Sequence, residues 1–156
     1  MTGPQAPLLA PATAAAVVQA LALFELRLTP NRRAVLAVLE ASDRPLTADE
    51  IVTRSGVPVS TAYRNLGELI DAGVVVRIPA VDGGDRHELA EQFSDHRHHH
   101  HLVCAECGIV TDFDPSDHLE RLIEREVQSL LASSGFEVTN HVFDVRGRCR
   151  HCRPSQ

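Results

Sequence analysis

Residues 46–73 read LTADEIVTRSGVPVSTAYRNLGELIDAG, and this stretch decides the fold. Thr47, followed three residues later by Glu50, is a capping box that opens a short helix. Ser55-Gly56 ends it, because glycine adopts the left-handed conformation of a helix stop at little cost. Pro58 and Ser60 lead into a second helix from about Thr61 to Ala72, stopped by Gly73. Ala62, Leu66, Leu69 and Ile70 recur at helical spacing and form its buried stripe. Thr61, Tyr63, Arg64 and Asn65 lie near its N-terminal end, mostly off that stripe. A short helix, a tight glycine-containing turn and a second helix make a helix-turn-helix, whose second helix offers its N-terminal end to a DNA major groove.

Outward from this stretch, Val74 to Ile78 reads as a strand, Asp82-Gly83-Gly84-Asp85 as a turn and Arg86 to Leu89 as a returning strand. A hairpin behind a helix-turn-helix makes a winged helix. Upstream, Thr29-Pro30 pairs a capping threonine with a proline suited to the first helical position. It opens a helix to about Ala41 with Val35, Leu36, Val38 and Leu39 facing inward. Residues 13–26 read as another helix with a broad apolar face, and residues 1–12, rich in Pro and Ala, as frayed. Residues 90–97 read as a hinge. Beyond it come a strand (His98 to Cys104), a cysteine knuckle, a strand (Ile109 to Phe113), a helix (about Ser116 to Ala132), a turn at Gly135, a strand (Phe136 to Val145) and a second knuckle. The expected fold class is α+β: a winged helix-turn-helix domain over 1–89, a hinge over 90–97 and a small α/β metal-binding domain over 98–156.

Composition separates the same halves. Residues 1–80 hold seven Arg and seven acids, whereas residues 81–156 hold eight Arg and fourteen acids, which accounts for the net charge of −6. The acidity would weaken nonspecific nucleic-acid binding if spread evenly; confined to the second half, it leaves the first half free to meet DNA. All nine His lie at or beyond His87 and all four Cys at or beyond Cys104. No apolar run approaches the roughly 18 residues of a membrane span. The first basic residue is Arg27, so a secretory signal is not expected and a cytoplasmic protein is.

Cys104-Ala105-Glu106-Cys107 and Cys149-Arg150-His151-Cys152 each present two thiolates, and together they complete a tetrahedral zinc site. Disulfides are disfavoured in a chain without a signal peptide. The 41 residues between the pairs exceed a compact ribbon, so the pairs would staple the start of the domain to its end. Next to them is the run His98-His99-His100-His101. On a strand, His98 and His100 face one way and His99 and His101 the other, so one tetrad can serve two metal sites. Glu88, Asp112, Glu120, Glu124 and His141 are candidate further ligands, with His87 and His96 as spares; His118 and His151 read as surface residues.

These residues resemble the ferric uptake regulator family of metal-responsive bacterial repressors, over about Leu28 to Cys152. The resemblance rests on Leu28 to Arg32, Ser60 to Leu66, Asp71 to Val75, Arg86 to Leu89, His98 to Cys104, Cys107-Gly108, Thr139-Asn140-His141 and the last C-x2-C. It implies a homodimer held by the C-terminal domain, with bound metal setting the pose of two winged helices on a pseudo-palindromic operator. It implies structural Zn(II) at Cys104, Cys107, Cys149 and Cys152, and a regulatory metal at Glu88, His99, His101 and Asp112. A second site would use His98, His100, His141 and Glu120, with Glu124 as alternate. Ser60, Thr61, Tyr63 and Arg64 would meet DNA, with Arg32, Arg33 and Arg77 as further contacts.

Several features depart from the family pattern, among them no Cys around the hinge and a longer segment between Leu89 and His98. Many members supply a sensing His from the DNA-binding domain, yet no His precedes His87 here, and Arg44-Pro45 stands near that position. The helix near Glu120 is about one turn longer, which leaves Glu120 and Glu124 as alternatives. The regulatory site's nitrogen and oxygen donors suit Fe(II) or Zn(II), with Mn(II) as a third option. A metal-buffering or delivery protein is the competing reading, since the His run alone would suit it. A zinc hydrolase is a weaker rival, because no H-E-x-x-H is present and an enzyme has no need of a helix-turn-helix.

Overall fold

The structure, a computed structural model, describes residues 7–81, 83–94, 98–138 and 141–153, the side chains of 131–133 excepted. It is a mixed α and β fold. Its elements are α1 (Pro11–Ala22), α2 (Pro30–Glu40), β1 (Leu46–Thr47), α3 (Ala48–Ser55), α4 (Val59–Asp71), β2 (Val75–Ile78), β3 (Arg86–Leu89), a 3₁₀ turn (Glu91–Phe93), β4 (His100–Cys104), β5 (Val110–Phe113), α5 (Asp117–Ser134) and β6 (Asp144–Gly147). Residues 1–6, Asp82 of the wing turn, residues 95–97 of the expected hinge with His96, and Thr139-Asn140 lie outside the described residues.

Local cap chemistry fixes the helices of the first half. The Thr29 hydroxyl accepts from the Arg32 amide ahead of α2, and the Thr47/Glu50 capping box is complete ahead of α3. Gly56 closes α3 at φ 67°. Helix α1 stops at Ala22, four residues short of the expected Leu26. There the Leu26 amide donates to Leu21 O and the Glu25 amide to Ala22 O, with Glu25 left-handed at φ 57°. That is a Schellman stop built on a glutamate where glycine is usual, which is why the sequence hides it.

Three strands, in the order β1-β3-β2, form the wing sheet, with Val76 opposite Glu88 and Leu46 opposite His87. Strand β1 is too short to be visible as a periodic pattern. Helix α4 begins at Val59, two residues earlier than expected, which puts Ser60 inside its first turn. Asn65 of α4 is buried, not on the outer face. The core joins Val17 and Leu21 of α1, Val35 and Leu36 of α2, Ile51 of α3 and Leu69 of α4, each fully buried, at about 1.5–3 kcal/mol of transfer free energy per side chain.

The second sheet has the order β5-β4-β6, with β5 antiparallel and β6 parallel to the central β4. Strand β6 overlaps the expected strand only at Asp144 and Val145 and extends beyond it to Gly147. This sheet buries little: Val103 and Val110 cluster with Ile78 of β2. Helix α5 carries Leu119, Leu122, Ile123, Val127 and Leu130 at helical spacing, yet none of its described side chains is buried.

Candidate metal centres and DNA-binding helix

Parallel pairing of β4 with β6 closes the long gap between the two cysteine pairs. Cys104, at the end of β4, lies opposite Gly147 at the end of β6, and the Ala105 amide donates to Gly147 O at 2.7 Å. Both C-x2-C turns therefore emerge at one end of the sheet, and the four Sγ atoms fall within 4.8 Å of one another. Cys107 and Cys149 have their sulfurs 3.8 Å apart. A tetrahedron of thiolates with ~2.3 Å zinc–sulfur bonds has edges of ~3.8 Å, so the four cysteines fit Zn(II). Backbone amides of Cys107, Cys149 and Glu106 converge on Cys104 and hold its thiol down to about 6, towards the thiolate a metal needs.

The His run divides by strand parity. Only His100 and His101 lie in β4, two residues later than the expected strand start; the chain bends at His98 just ahead of it, yet alternate rings still gather in separate clusters, His99 with His101 and His98 with His100. His99 and His101 stack edge to face with centroids 5.3 Å apart, as do His98 and His100 at 4.8 Å.

On one face, Glu88, His99, His101 and Asp112 bring their donor atoms within 4.8 Å. His101 Nε2 is 3.1 Å from Glu88, and His99 Nε2 is 3.3 Å from Glu88 and 4.0 Å from Asp112. Glu88 belongs to β3 of the wing sheet, Asp112 to β5, and register places Asp112 directly opposite His101. Burial opposes a charge on His101, but the hydrogen bond and charge of Glu88, helped by Asp144 and Asp112, outweigh it and raise its pKa. His101 Nδ1 lies 3.3 Å from the Asp144 carboxylate, which orients the ring with Nε2 towards Glu88. Beside the cluster is a cavity of about 20 Å³, lined by Ser42, Arg44, Glu88, Ser94, His99 and Asp112 among others. Arg44, on the lining of that cavity, directs its guanidinium to Glu50 at the head of α3.

On the other face, His98, His100, Glu120 and His141 converge within 4.8 Å. His100 Nε2 lies 2.8 Å from Glu120, His141 Nε2 lies 3.1 Å from it, and the His98 and His141 Nε2 atoms are 3.4 Å apart. Glu120 joins this group; Glu124, one turn further along α5, is exposed and outside it. His100 is fully buried and stacked on Phe143 at 3.8 Å, and burial lowers its pKa despite Glu120. The Phe143 amide donates to His100 Nδ1 at 3.3 Å, which leaves the ring proton of the neutral imidazole on Nε2, pointing at Glu120. His100 must shed or turn that proton to act as a ligand through Nε2. Burial works to raise the Glu120 pKa, but the hydrogen bond with His100, helped by the electrostatic influence of His100, His98 and His141, outweighs it and lowers it. Both His/carboxylate sets suit a borderline divalent cation.

His87 is buried in the wing sheet with Nδ1 3.4 Å from Leu46 O, and burial lowers its pKa. It joins neither cluster. His118 and His151 are exposed.

On α4, Ser60, Tyr63 and Arg64 are exposed and Thr61 is half-buried. The Tyr63 hydroxyl donates to Asp49 of α3 at 3.2 Å, and the charge and hydrogen bond of Asp49 raise its pKa, so it stays a neutral phenol. Arg77 on the wing is exposed and 3.4 Å from Asp85, and Arg33 is exposed at the start of α2. Arg32, expected among the DNA contacts, is buried: its guanidinium donates to Arg27 O and pairs with Glu68, tying α2 to α4. The sequence left Asp49, Glu91 and Asp144 unmentioned; each acts on a named site residue through a tertiary contact with no short-range signature.

The Ferric uptake regulator family model matches residues 24–146. The peroxide-responsive repressor PerR of Staphylococcus saprophyticus is 36% identical over 132 residues, covering 81% of this chain and 82% of that protein. The ferric uptake regulator of Vibrio cholerae superposes with a TM-score of 0.62 at 31% identity, over 84% of this chain and 98% of that one. The ferric uptake regulator of Helicobacter pylori, whose structure is described as revealing three functional metal-binding sites, gives 0.69 over 96% and 98% of the two chains. At 20% identity that last likeness speaks to the fold alone.

Proposed function

Since the chain belongs to the ferric uptake regulator family, we propose that it is a cytoplasmic, metal-dependent transcriptional repressor of metal-homeostasis genes, acting as a homodimer on a palindromic operator. On this reading it is a regulator rather than an enzyme. Cys104, Cys107, Cys149 and Cys152 hold structural Zn(II). The regulatory ion, Fe(II) or Zn(II) with Mn(II) as the third option, belongs to Glu88, His99, His101 and Asp112.

The observation that carries this reading is the split origin of the regulatory set. Glu88 comes from the wing, while His101 and Asp112 come from the second sheet and His99 from the residue just ahead of it. A divalent cation, when bound, supplies the positive charge that two carboxylates and two neutral imidazoles lack. Convergence of the four groups fixes the wing strand against β4. Any agent that stabilises this closed pose more than the open one shifts the population towards it, by no more than its differential affinity. In the closed pose Ser60, Thr61, Tyr63 and Arg64 address base edges, and Arg33 and Arg77 address phosphates. Arg32 acts from inside, by holding α2 against α4.

Dimerisation is supported by what one chain leaves uncovered. Leu119 and Leu130 of α5 are 40% and 68% exposed, and Leu102 and Val145 of the second sheet are 44% and 47% exposed. A second copy covers such a surface and brings two recognition helices to one two-fold site. Among the described residues no helix is long and apolar enough to cross a membrane.

The test is selection of random-sequence duplexes by the zinc-loaded dimer with and without Mn(II) or Fe(II), followed by fluorescence anisotropy on the winning sequence. The expected result is a palindrome bound far more tightly with metal. Equal binding with and without metal would overturn the metal dependence, and failure to select any duplex would favour the buffering or delivery reading.

A further inference from the structure

We propose that Glu91 is a positioning residue that ties the second donor set, His98, His100, Glu120 and His141, to the hinge, so that the state of that set is felt by the DNA-binding half. The inference rests on the reading of those four residues as a metal site. Its origin is the two-sided placement of His98. One ring nitrogen, Nε2, faces His141 at 3.4 Å and Glu120 at 3.8 Å. The other, Nδ1, lies 3.1 Å from the Glu91 carboxylate. A neutral imidazole that offers Nε2 as a ligand must carry its proton on Nδ1, and that proton then points at Glu91. An outer carboxylate of this kind fixes the tautomer and the ring orientation and raises the basicity of the ligating nitrogen.

Glu91 does not belong to the second sheet. It opens the 3₁₀ turn Glu91–Phe93, which follows Ala90 directly after β3. That turn is seated on the first half: Phe93 packs against the main core, the Gln92 amide donates to Gly73 O at 3.3 Å, and the Ala90 amide donates to Val74 O at 3.0 Å. Gly73 and Val74 are the first residues after the recognition helix α4 and its cap. The chain of contacts is therefore Glu120 and His141, His98, Glu91, the 3₁₀ turn, and the base of α4. The regulatory set reaches the wing through Glu88 as a direct donor. The second set reaches the same half one hydrogen bond further out, through Glu91. His101 supplies the contrast: its outer carboxylate, Asp144, lies on β6 of its own sheet.

The experiment uses the full-length zinc-loaded dimer and Co(II) as a spectroscopic probe, titrated into wild type, Glu91→Ala, His141→Ala and the double variant. Amide hydrogen exchange of residues 91–93 is followed in parallel. The wild type should take up a Co(II) equivalent that His141→Ala loses. Glu91→Ala should weaken that equivalent by about 10–100-fold while leaving the Glu88/His99/His101/Asp112 equivalent within twofold. Filling the second site should slow exchange at 91–93 in wild type and not in Glu91→Ala. The double variant should bind operator DNA no more weakly than His141→Ala alone, because Glu91 acts through the site that His141 completes. Unchanged Co(II) affinity in Glu91→Ala, or additive losses in the double variant, would overturn the proposal. Absence in wild type of any equivalent that His141→Ala removes would instead overturn the underlying site reading.

Discussion

Leu130→Glu is the substitution that tests the dimer most cleanly. Leu130 lies on the apolar stripe of α5 and is 68% exposed in the single chain, so most of its side chain is available to a partner. Burying a whole leucine stabilises by ~2 kcal/mol, so two-thirds of that, from two symmetric copies, is ~3 kcal/mol of association free energy. The dimer dissociation constant should rise about 100-fold or more, the excess reflecting the cost of covering a carboxylate. Sedimentation velocity over a concentration series reads this directly, with circular dichroism and zinc content as controls for folding. Arg121→Ala, on the opposite side of α5, should leave the constant unchanged. A Leu130→Glu protein that dimerises as tightly as wild type would refute the assignment of α5 to the interface.

The remaining predictions concern the sites. Single alanine substitutions of His99 or His101 should abolish metal-dependent operator binding and leave the dimer intact, whereas His98→Ala, His100→Ala and His141→Ala should share a milder effect and lose a different metal equivalent; metal stoichiometry with anisotropy separates the classes, and grouping of adjacent rather than alternate histidines would contradict the two-face arrangement. Arg64→Ala should weaken operator binding by about 1–3 kcal/mol at matched salt, with dimerisation and metal content unchanged. Glu50 is held down to about 2, first by the hydrogen bond from Arg44, so the stability it contributes is present above about pH 4.5 and fades as pH falls towards 2. Arg44→Ala should therefore cost about 1–2 kcal/mol near neutral pH, allowing for solvent screening, and the urea melts of variant and wild type should converge near pH 2.

What the sequence made legible follows from the range of the signals. Thr29, the Thr47/Glu50 box, Gly56 and Gly73 are local stop and start signals; α2 and α3 begin, and α3 ends, where they dictate. The parity of the His run is equally local, since a strand alternates faces whatever surrounds it. Pairing is not local. Every residue of β6 is exposed, so no alternation marks its bounds, and it exists because β4 needs a parallel neighbour. Arg32 reads as a phosphate contact because it is an arginine in a first helical turn. Its burial is set by Glu68, 36 residues away in sequence. Asp144 became a partner of His101 through sheet register alone.

On the proposed function, bringing Glu88 of the wing together with His99, His101 and Asp112 is what makes the dimer bind DNA. The direct measurement is operator affinity of wild type and Glu88→Ala, each zinc-loaded, at fixed salt, with and without saturating Mn(II) or Fe(II). The three donors left in Glu88→Ala, His101 and Asp112 of the second sheet and His99 just ahead of it, all lie outside the wing, so metal can still bind there while the wing is released. Wild type should gain between about 5- and 150-fold in operator affinity on metal addition, the range of an allosteric coupling of 1–3 kcal/mol. Glu88→Ala should gain nothing measurable at metal levels that fill its remaining donors. A variant that gains as much as wild type would contradict the account, because closure of the wing against β4 would then play no part in the response.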